Sequence, residues 1–565
     1  MRTPEQTNTP WAYGLLAACV ALPWLNPFAS SPSTAVIPLL LSWMLAACAL
    51  LAVADMPFVK KNWTLRDRWM LAVMGMWLMA SLVWAPAVVD RALTAGLLAS
   101  LMCVWLMWAV GRRAAVNERL LMWLTAAVLF AALVSSVLGV LQYLGLAKAL
   151  SPWVNQPLKG DAFANLRQRN QFASLTGLGL VALFGWTLAH SKTQALAAKA
   201  WCLVLVGLNI LAAGLACSVS RTGAIEWLLV SALLMGWLYR RSHGEGRQHL
   251  LRLVVAAPLL VVLWSLVMPW LSWQLTGEWG ASLILRVAGQ AQDYGPCGGR
   301  RVLWANVLTL IEQQPWWGWG WGETDYAHFM THYKDMRFCD MLDNAHDFPL
   351  HMALELGVPF AVVVLAAMAA WVWRRRPWQE AQASRVMAWC WLLVLGFHSL
   401  LEYPLWYGPF QMTLGLGLGL LWSLPQTSVV PKVHEALKVE AQAGPLLVAA
   451  LLFIGCLYAV WDFNRVGQIY RPAAARDAAY RDDPLHHAKQ SWLFKNQADF
   501  AELTTQTVTA DNAAALYPQA LRLMHYSPEA RVVQRVIDSG KLLGYDEQAQ
   551  LLADRLDDVK RNMPR

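Results

Sequence analysis

Apolar runs long enough to cross a bilayer recur along most of this chain, and that recurrence restricts it to one kind of fold. Each run covers roughly 17–25 residues, the length a helix needs to traverse a hydrocarbon core of about 30 Å. About thirteen runs meet this criterion. They fall at 11–28, 35–55, 69–86, 92–111, 120–145, 172–189, 199–217, 223–240, 250–270, 349–373, 384–401, 405–424 and 445–461. The expected fold is all-α: a polytopic membrane protein over residues 1–461, followed by a small soluble helical domain over 462–565. In that tail, 529–556 alternates apolar stripes with charged and amide residues in the manner of a helical hairpin. Only 14% of the residues are charged, whereas soluble domains carry about a quarter. The first run lacks a small-x-small cleavage site after it and reads as a retained span, not a signal peptide.

The net charge of +9 is distributed by side of the membrane and is no footprint of nucleic acid. Lys60, Lys61, Arg66 and Arg68 follow the second run, and Arg112, Arg113 and Arg119 the fourth. Lys192 and Lys199 follow the sixth, Arg240, Arg241 and Arg247 the eighth, and Arg374, Arg375, Arg376 and Arg385 the tenth. Cytoplasmic loops collect Lys and Arg, so these alternate connectors are inside and the N-terminus is cytoplasmic. The same register exports the long interruption at 271–348, the connector at 146–171, the turns at 218–222 and 402–404, and the tail. Most of the 33 Trp lie near the ends of apolar runs, as interfacial belts do. Of the nine Cys, seven belong to apolar runs or their edges and read as packing residues. Cys297 and Cys339 share the exported loop and form a candidate disulfide, the alternative being two unpaired thiols.

Several cations violate this charge pattern. Arg167 and Arg169 lie in Asn-Leu-Arg-Gln-Arg-Asn-Gln-Phe-Ala at 165–173, Arg221 in Ser-Val-Ser-Arg-Thr-Gly at 218–223, and Arg300 and Arg301 before an amphipathic segment at 302–314. A charge at the membrane edge is costly and usually lines a polar cavity. For one such arginine, snorkelling or pairing with Asp161, Glu226 or Asp293 is an adequate reading. Three external clusters together point to an anionic ligand at the membrane surface, because guanidinium forks match phosphate oxygens. A lipid-linked phosphate or pyrophosphate suits that depth. His346, flanked by Asp343 and Asp347 at the outer edge, can take a proton from an attacking hydroxyl. His398, Glu402 and Tyr403 form a further polar cluster at that edge. His328 and His332 have helical i, i+4 spacing but no evident third ligand, so no metal site is expected.

These segments, taken in order, resemble the O-antigen ligase/polymerase superfamily. The resemblance rests on Ser-x-Ser-Arg-Thr-Gly, Gly-Arg-(x)3-Trp with Pro-(x)2-Gly-x-Gly-x-Gly after it, and Asn-Ala-His-x-x-Pro-Leu running into Glu-Leu-Gly. Within it, Arg-Asn-Gln-Phe-Ala at 169–173 and His-Ser-Leu-Leu-Glu-Tyr-Pro-Leu-Trp-Tyr at 398–407 are similar to PglL-type bacterial protein O-oligosaccharyltransferases. The likeness covers about residues 10–460 and implies a membrane glycosyltransferase of the GT-C kind in the bacterial inner membrane, working on the periplasmic face. The implied donor is undecaprenyl pyrophosphate carrying a glycan. The implied acceptor is Ser or Thr of a protein, often a type IV pilin, and no cofactor is implied. Carried over by motif, His346 is the essential histidine and Arg221 and Arg300 bind pyrophosphate. Arg301 is an alternative to Arg300, and Arg169 joins them. Gln171 and Tyr403 are implied to be important polar residues, and together with Asp347, Glu402 and His398 at the outer edge they form the candidate substrate- or acceptor-binding set. Asp347 departs from the Asn often found there. The sequence leaves open a lipid A-core ligase, a glycan polymerase and, outside enzymes, a lipid-linked glycan transporter, although transporters tend to show internal repeats.

Overall fold

The computed structural model describes residues 10–56, 90–157, 161–191, 198–240, 247–289, 297–422 and 443–562. The expected span at 69–86 and the basic cluster Lys60 to Arg68 lie outside these residues, as do Lys192 and Arg241. Among the described residues the chain is helical, and its β pairing is an isolated bridge between Ser30 and Ser33. The first part holds α1 (Pro10–Leu25), α2 (Val36–Ala52), α3 (Arg91–Ala114), α4 (Glu118–Tyr143), α5 (Arg169–Ser191), α6 (Ala198–Ser218), α7 (Arg221–Arg240) and α8 (Arg247–Thr276). The long loop then contributes α9 (Leu283–Val287), α10 (Arg300–Gln313) and α11 (Thr324–Met330). Next come α12 (Phe348–Leu356), α13 (Val358–Arg375), α14 (Ala383–Ser399), α15 (Gly408–Trp422) and α16 (Ala443–Gly467). The tail is α17 (Pro484–Lys489), α18 (Lys495–Thr505), α19 (Ala513–Met524), α20 (Ala530–Leu542) and α21 (Asp546–Asn562).

Eight of these helices are long and apolar enough to cross a membrane: α3 to α8, α13 and α16. α1 and α2 are apolar but shorter. The chain is therefore a multi-pass membrane protein, with fewer full-length spans among its described residues than the run count suggests. One expected span, 349–373, is broken. Gly357 at φ +88° separates α12 from α13, and Pro359 has no N–H to give the Glu355 carbonyl. The tryptophan-glycine stretch at 315–322 repairs the break. Trp319 N–H donates to Leu354 O (2.9 Å), Gly320 N–H to Glu355 O (3.1 Å) and Val358 N–H to Pro315 O (2.8 Å). A Cβ on Gly357 would collide with the Trp316 carbonyl, so glycine is needed there for both its conformation and its lack of bulk.

Close helix packing in the bundle depends on small residues, as expected where lipid is as apolar as the side chains. α15 lies against α3 so tightly that a Cβ on Gly415 would strike the Val104 carbonyl, and one on Gly419 the Trp108 carbonyl. Gly419→Leu is expected to destabilise the bundle by about 1–3 kcal/mol or more through overpacking. Gly455→Leu on α16, where an added Cβ meets nothing within 4 Å, should be neutral. Thermal unfolding of the two variants in detergent checks this pair.

The loop and the tail pack together. Cys297 and Cys339 are joined in a disulfide, with Cα atoms 5.4 Å apart, which ties the start of α10 to the segment before His346. Phe329, Tyr326 and Met330 of α11 enter the apolar core of α18 to α21. There the His525 ring stacks on Tyr326 at 3.8 Å and its Nδ1 is 2.7 Å from Glu323 Oε2. The tail begins on the buried Asp462 carboxylate of α16, which accepts from Ser491 Oγ (2.8 Å) and Leu493 N (2.9 Å). α20 and α21 form the helical pair foreshadowed at 529–556.

His328 and His332 serve separate contacts. His328 Nδ1 is 2.8 Å from the Tyr333 hydroxyl in the loop core, whereas His332 Nδ1 is 3.5 Å from Asp558 of the tail. Burial, then the Arg337 charge, lowers the His328 pKa to about 3. An unfolded histidine titrates near 6.5, so below that pH the unfolded chain binds the extra proton. Stability of the loop is expected to fall as pH drops from about 6.5 toward 3, by at most about 1.4 kcal/mol per pH unit from this group. Limited proteolysis across that range should show the slope, and His328→Gln should flatten it.

Candidate active site

The cavity that matters is at one end of the bundle, where the starts of α5, α7 and α10 meet the exit from α14. Its volume is about 250 Å³, and five arginines line it: Arg167, Arg169, Arg221, Arg286 and Arg300, against the carboxylates of Asp161 and Glu402. Each cation is delivered by local chemistry. Arg221 opens α7 because the turn before it is held by its serines: Ser218 Oγ accepts from Ser220 N (3.2 Å) and Ser220 Oγ from Gly223 N (3.1 Å). That is an N-cap arrangement, with Val219 at φ +53° reversing the chain. Arg286 Nη1 donates to the Val219 carbonyl at 2.9 Å and so fastens the same turn. Arg167, at φ +61°, donates to Pro27 O at 2.6 Å, and Arg169 lies 4.0 Å from Asp161.

A continuous polar chain joins these arginines to His346. Ser220 Oγ donates to Asn170 Oδ1 (2.7 Å), and Asn170 Nδ2 donates to Glu402 Oε1 (3.0 Å). Arg300 Nη2 binds that same carboxylate oxygen, while its Nε donates to Leu401 O at 2.9 Å. The other oxygen, Glu402 Oε2, is 2.8 Å from His346 Nδ1. A carboxylate only accepts, so Nδ1 carries the proton and Nε2 keeps a lone pair. Burial pushes the Glu402 carboxyl up, but the His346 hydrogen bond and the favourable electrostatic surroundings of His346, Arg300 and His398 outweigh it and hold the pKa below its ordinary value. Glu402 is thus a buried anion that orients a histidine and an arginine together.

His346 adopts φ +50°, a left-handed conformation uncommon outside glycine. Two bonds hold it: His346 N–H donates to Asn344 Oδ1 (2.7 Å) and Trp304 Nε1 donates to Ala345 O (3.1 Å). Strain of this kind concentrates at functional positions. The carboxylate that orients His346 is Glu402, rather than Asp343 or Asp347 as its sequence neighbours suggest. Asp347 accepts from Leu350 N–H at 2.8 Å through Oδ1 and so caps α12.

The remaining expected residues divide. Tyr403 sets its ring edge-on to His346 at 4.9 Å. Gln171 is buried, and the Tyr403 ring stacks on Tyr407 at 6.1 Å, building an aromatic wall beside the histidine. Arg301 is exposed and is not part of the cavity lining, whereas Arg300 is. His398 is fully buried away from the cavity lining, its Nδ1 2.7 Å from Ser174 Oγ, which donates to Glu226 Oε1 at 2.9 Å. That places His398 among residues that join α5, α7 and α14. Asn170 and Arg286 escaped the sequence reading as site residues. Asn170 stands between Arg169 and Gln171 and was legible there. Arg286 lies in a short helix with no motif around it.

Comparison with known proteins follows this geometry segment by segment. A family model described as protein glycosylation ligase matches residues 162–188, which carry Arg167 to Gln171. One described as O-antigen ligase matches 206–365, with Arg221, Arg286, Arg300 and His346. One described as virulence factor membrane-bound polymerase, C-terminal, matches 386–557, with Glu402 and Tyr403. A general O-oligosaccharyltransferase of Acinetobacter baylyi is 24% identical over 425 residues, covering 72% of this chain and 69% of that protein. Matches to three models in chain order, each holding one part of a single cavity, together with this relative, make the chain similar to the PglL-type O-oligosaccharyltransferases and the O-antigen ligases.

Proposed function

We propose that this protein is a bacterial inner-membrane O-oligosaccharyltransferase. It moves a glycan en bloc from undecaprenyl pyrophosphate to Ser or Thr hydroxyls of a periplasmic protein such as a type IV pilin. The observation that carries this reading is the five-arginine cavity joined through Glu402 to a histidine whose Nε2 is left as an acceptor. The basic connectors after alternate spans support a cytoplasmic N-terminus and a periplasmic cavity, loop and tail. Residues 1–461 then form the transmembrane catalytic unit and 462–565 a periplasmic helical unit.

The reaction is a displacement at the anomeric carbon. The acceptor hydroxyl attacks C1 from the face opposite the pyrophosphate, and the C1–O bond to phosphate breaks with inversion. The hydroxyl proton passes to His346 Nε2, and prenyl pyrophosphate leaves with the bonding pair. Arg221, Arg300, Arg286 and Arg169 face the anion that develops, the role a divalent cation has in many phosphate-leaving reactions, so the proposed chemistry is metal-independent. Preorganised charge of this sort is usually the largest catalytic contribution. Glu402 stabilises the imidazolium formed on proton uptake.

Co-expression with a lipid-linked glycan pathway and a candidate pilin tests the proposal by the intact mass of the pilin. A glycan-sized gain with unchanged lipopolysaccharide supports protein transfer. Glycan appearing on lipid A-core marks a ligase, lengthened lipid-linked glycan marks a polymerase, and translocated but unmodified donor marks a transporter. Any of those three outcomes contradicts the proposal.

A further inference from the structure

The pyrophosphate reading of the arginine cavity has a geometric consequence for the glycan. If the leaving group occupies the arginines and the hydroxyl approaches from His346, the first sugar ring must lie between them. It therefore passes Glu402 and the residues that follow. Those residues form a rigid aromatic step. Pro404 is buried, and Trp406 N–H donates to Tyr403 O (3.1 Å) and Tyr407 N–H to Pro404 O (3.0 Å). This turn holds Trp406 with its ring 5.2 Å from Tyr403 and 6.0 Å from His351, while 41% of the residue remains exposed.

Tyr403 packs T-shaped against His346 and stacks on Tyr407, and both tyrosines are half-buried. Trp406 is the large aromatic of the step that still offers surface. We infer that Trp406 is a sugar-stacking residue that binds the apolar face of the donor's first saccharide and sets which sugar is accepted there. A pyranose presents C–H groups on one face and hydroxyls at its rim, and an indole is a wide, preorganised partner for that face at little entropic cost. The step follows directly on Glu402, which lines the arginine cavity, so the proposed ligand reaches from the arginines past Glu402 onto the step. Interfacial anchoring, which accounts for tryptophans at span ends in general, makes a different prediction.

The inference rests on the pyrophosphate reading, and the test separates the two. The full-length protein in nanodiscs is titrated with prenyl pyrophosphate and with the same lipid bearing one N-acetylhexosamine. Wild type is expected to bind the sugar-bearing lipid about tenfold more tightly. Trp406→Ala should lose that difference while binding the sugar-free lipid unchanged, and Trp406→Phe should keep most of it. Repeating the titration with the C4-epimeric sugar should show wild type discriminating and Trp406→Ala indifferent. A gain that survives in Trp406→Ala, or equal weakening of both lipids as an anchoring role would give, overturns the assignment. Failure of wild type to bind either lipid sinks the pyrophosphate reading itself, and this inference with it.

Discussion

His346→Ala is expected to slow glycan transfer by about a hundred- to ten-thousand-fold, the range general base assistance supplies, while the variant still inserts and binds donor. The expectation follows from a histidine held by Glu402 at one nitrogen, at 2.8 Å, with the other left to accept a proton. Glu402→Gln should reproduce part of the loss, because an amide can still accept from His346 Nδ1 but no longer balances the imidazolium. Glu402→Ala should lose more, since it also removes the partner of Arg300 and Asn170. The pH profile separates positioning from mere structural support: Glu402→Gln should shift the acidic limb of kcat, whereas a folding defect would scale the whole curve. Transfer retained in His346→Ala would remove this residue from the mechanism.

Arg221→Ala is expected to lower kcat by a hundredfold or more, about 3 kcal/mol of transition-state stabilisation, with a smaller change in donor KM. The charge on the leaving pyrophosphate grows as the bond breaks, so a guanidinium there contributes more to the transition state than to the bound donor. Arg221→Lys should recover little, because an ammonium replaces a planar fork with a point charge. Single-turnover kinetics with a saturating donor measures the effect. An increase in KM with kcat intact would assign Arg221 to ground-state binding instead.

Which residues were legible in the sequence follows from the range of the forces involved. Arg221, Arg300 and Arg169 stood out because a cation on the wrong side of a span violates a bias visible in the sequence alone. His346 stood out through its motif. The partner of His346 did not, because Glu402 lies 56 residues away, whereas the nearer Asp347 caps α12. Helix capping is local and competes directly with any role in the site. Arg286 was hidden for another reason: its importance lies in the Val219 carbonyl it holds across 67 residues. The all-helical character was legible in the apolar periodicity. The break at Gly357 was written in Gly-Val-Pro at 357–359, but a long apolar run masks a missing amide hydrogen. Its repair by the Trp-Gly stretch requires the folded loop.

The central claim, that the arginine cavity and the His346–Glu402 pair transfer a glycan to protein, is tested most directly with purified components. Full-length protein in liposomes is supplied with a prenyl-pyrophosphate glycan and a Ser-bearing pilin, and the pilin is followed by intact mass. The account predicts a gain equal to the glycan less one water, matched by an equal release of prenyl pyrophosphate, and absent with Arg221→Ala or His346→Ala. An unmodified pilin alongside donor that is consumed, or modification that persists in both variants, would contradict it.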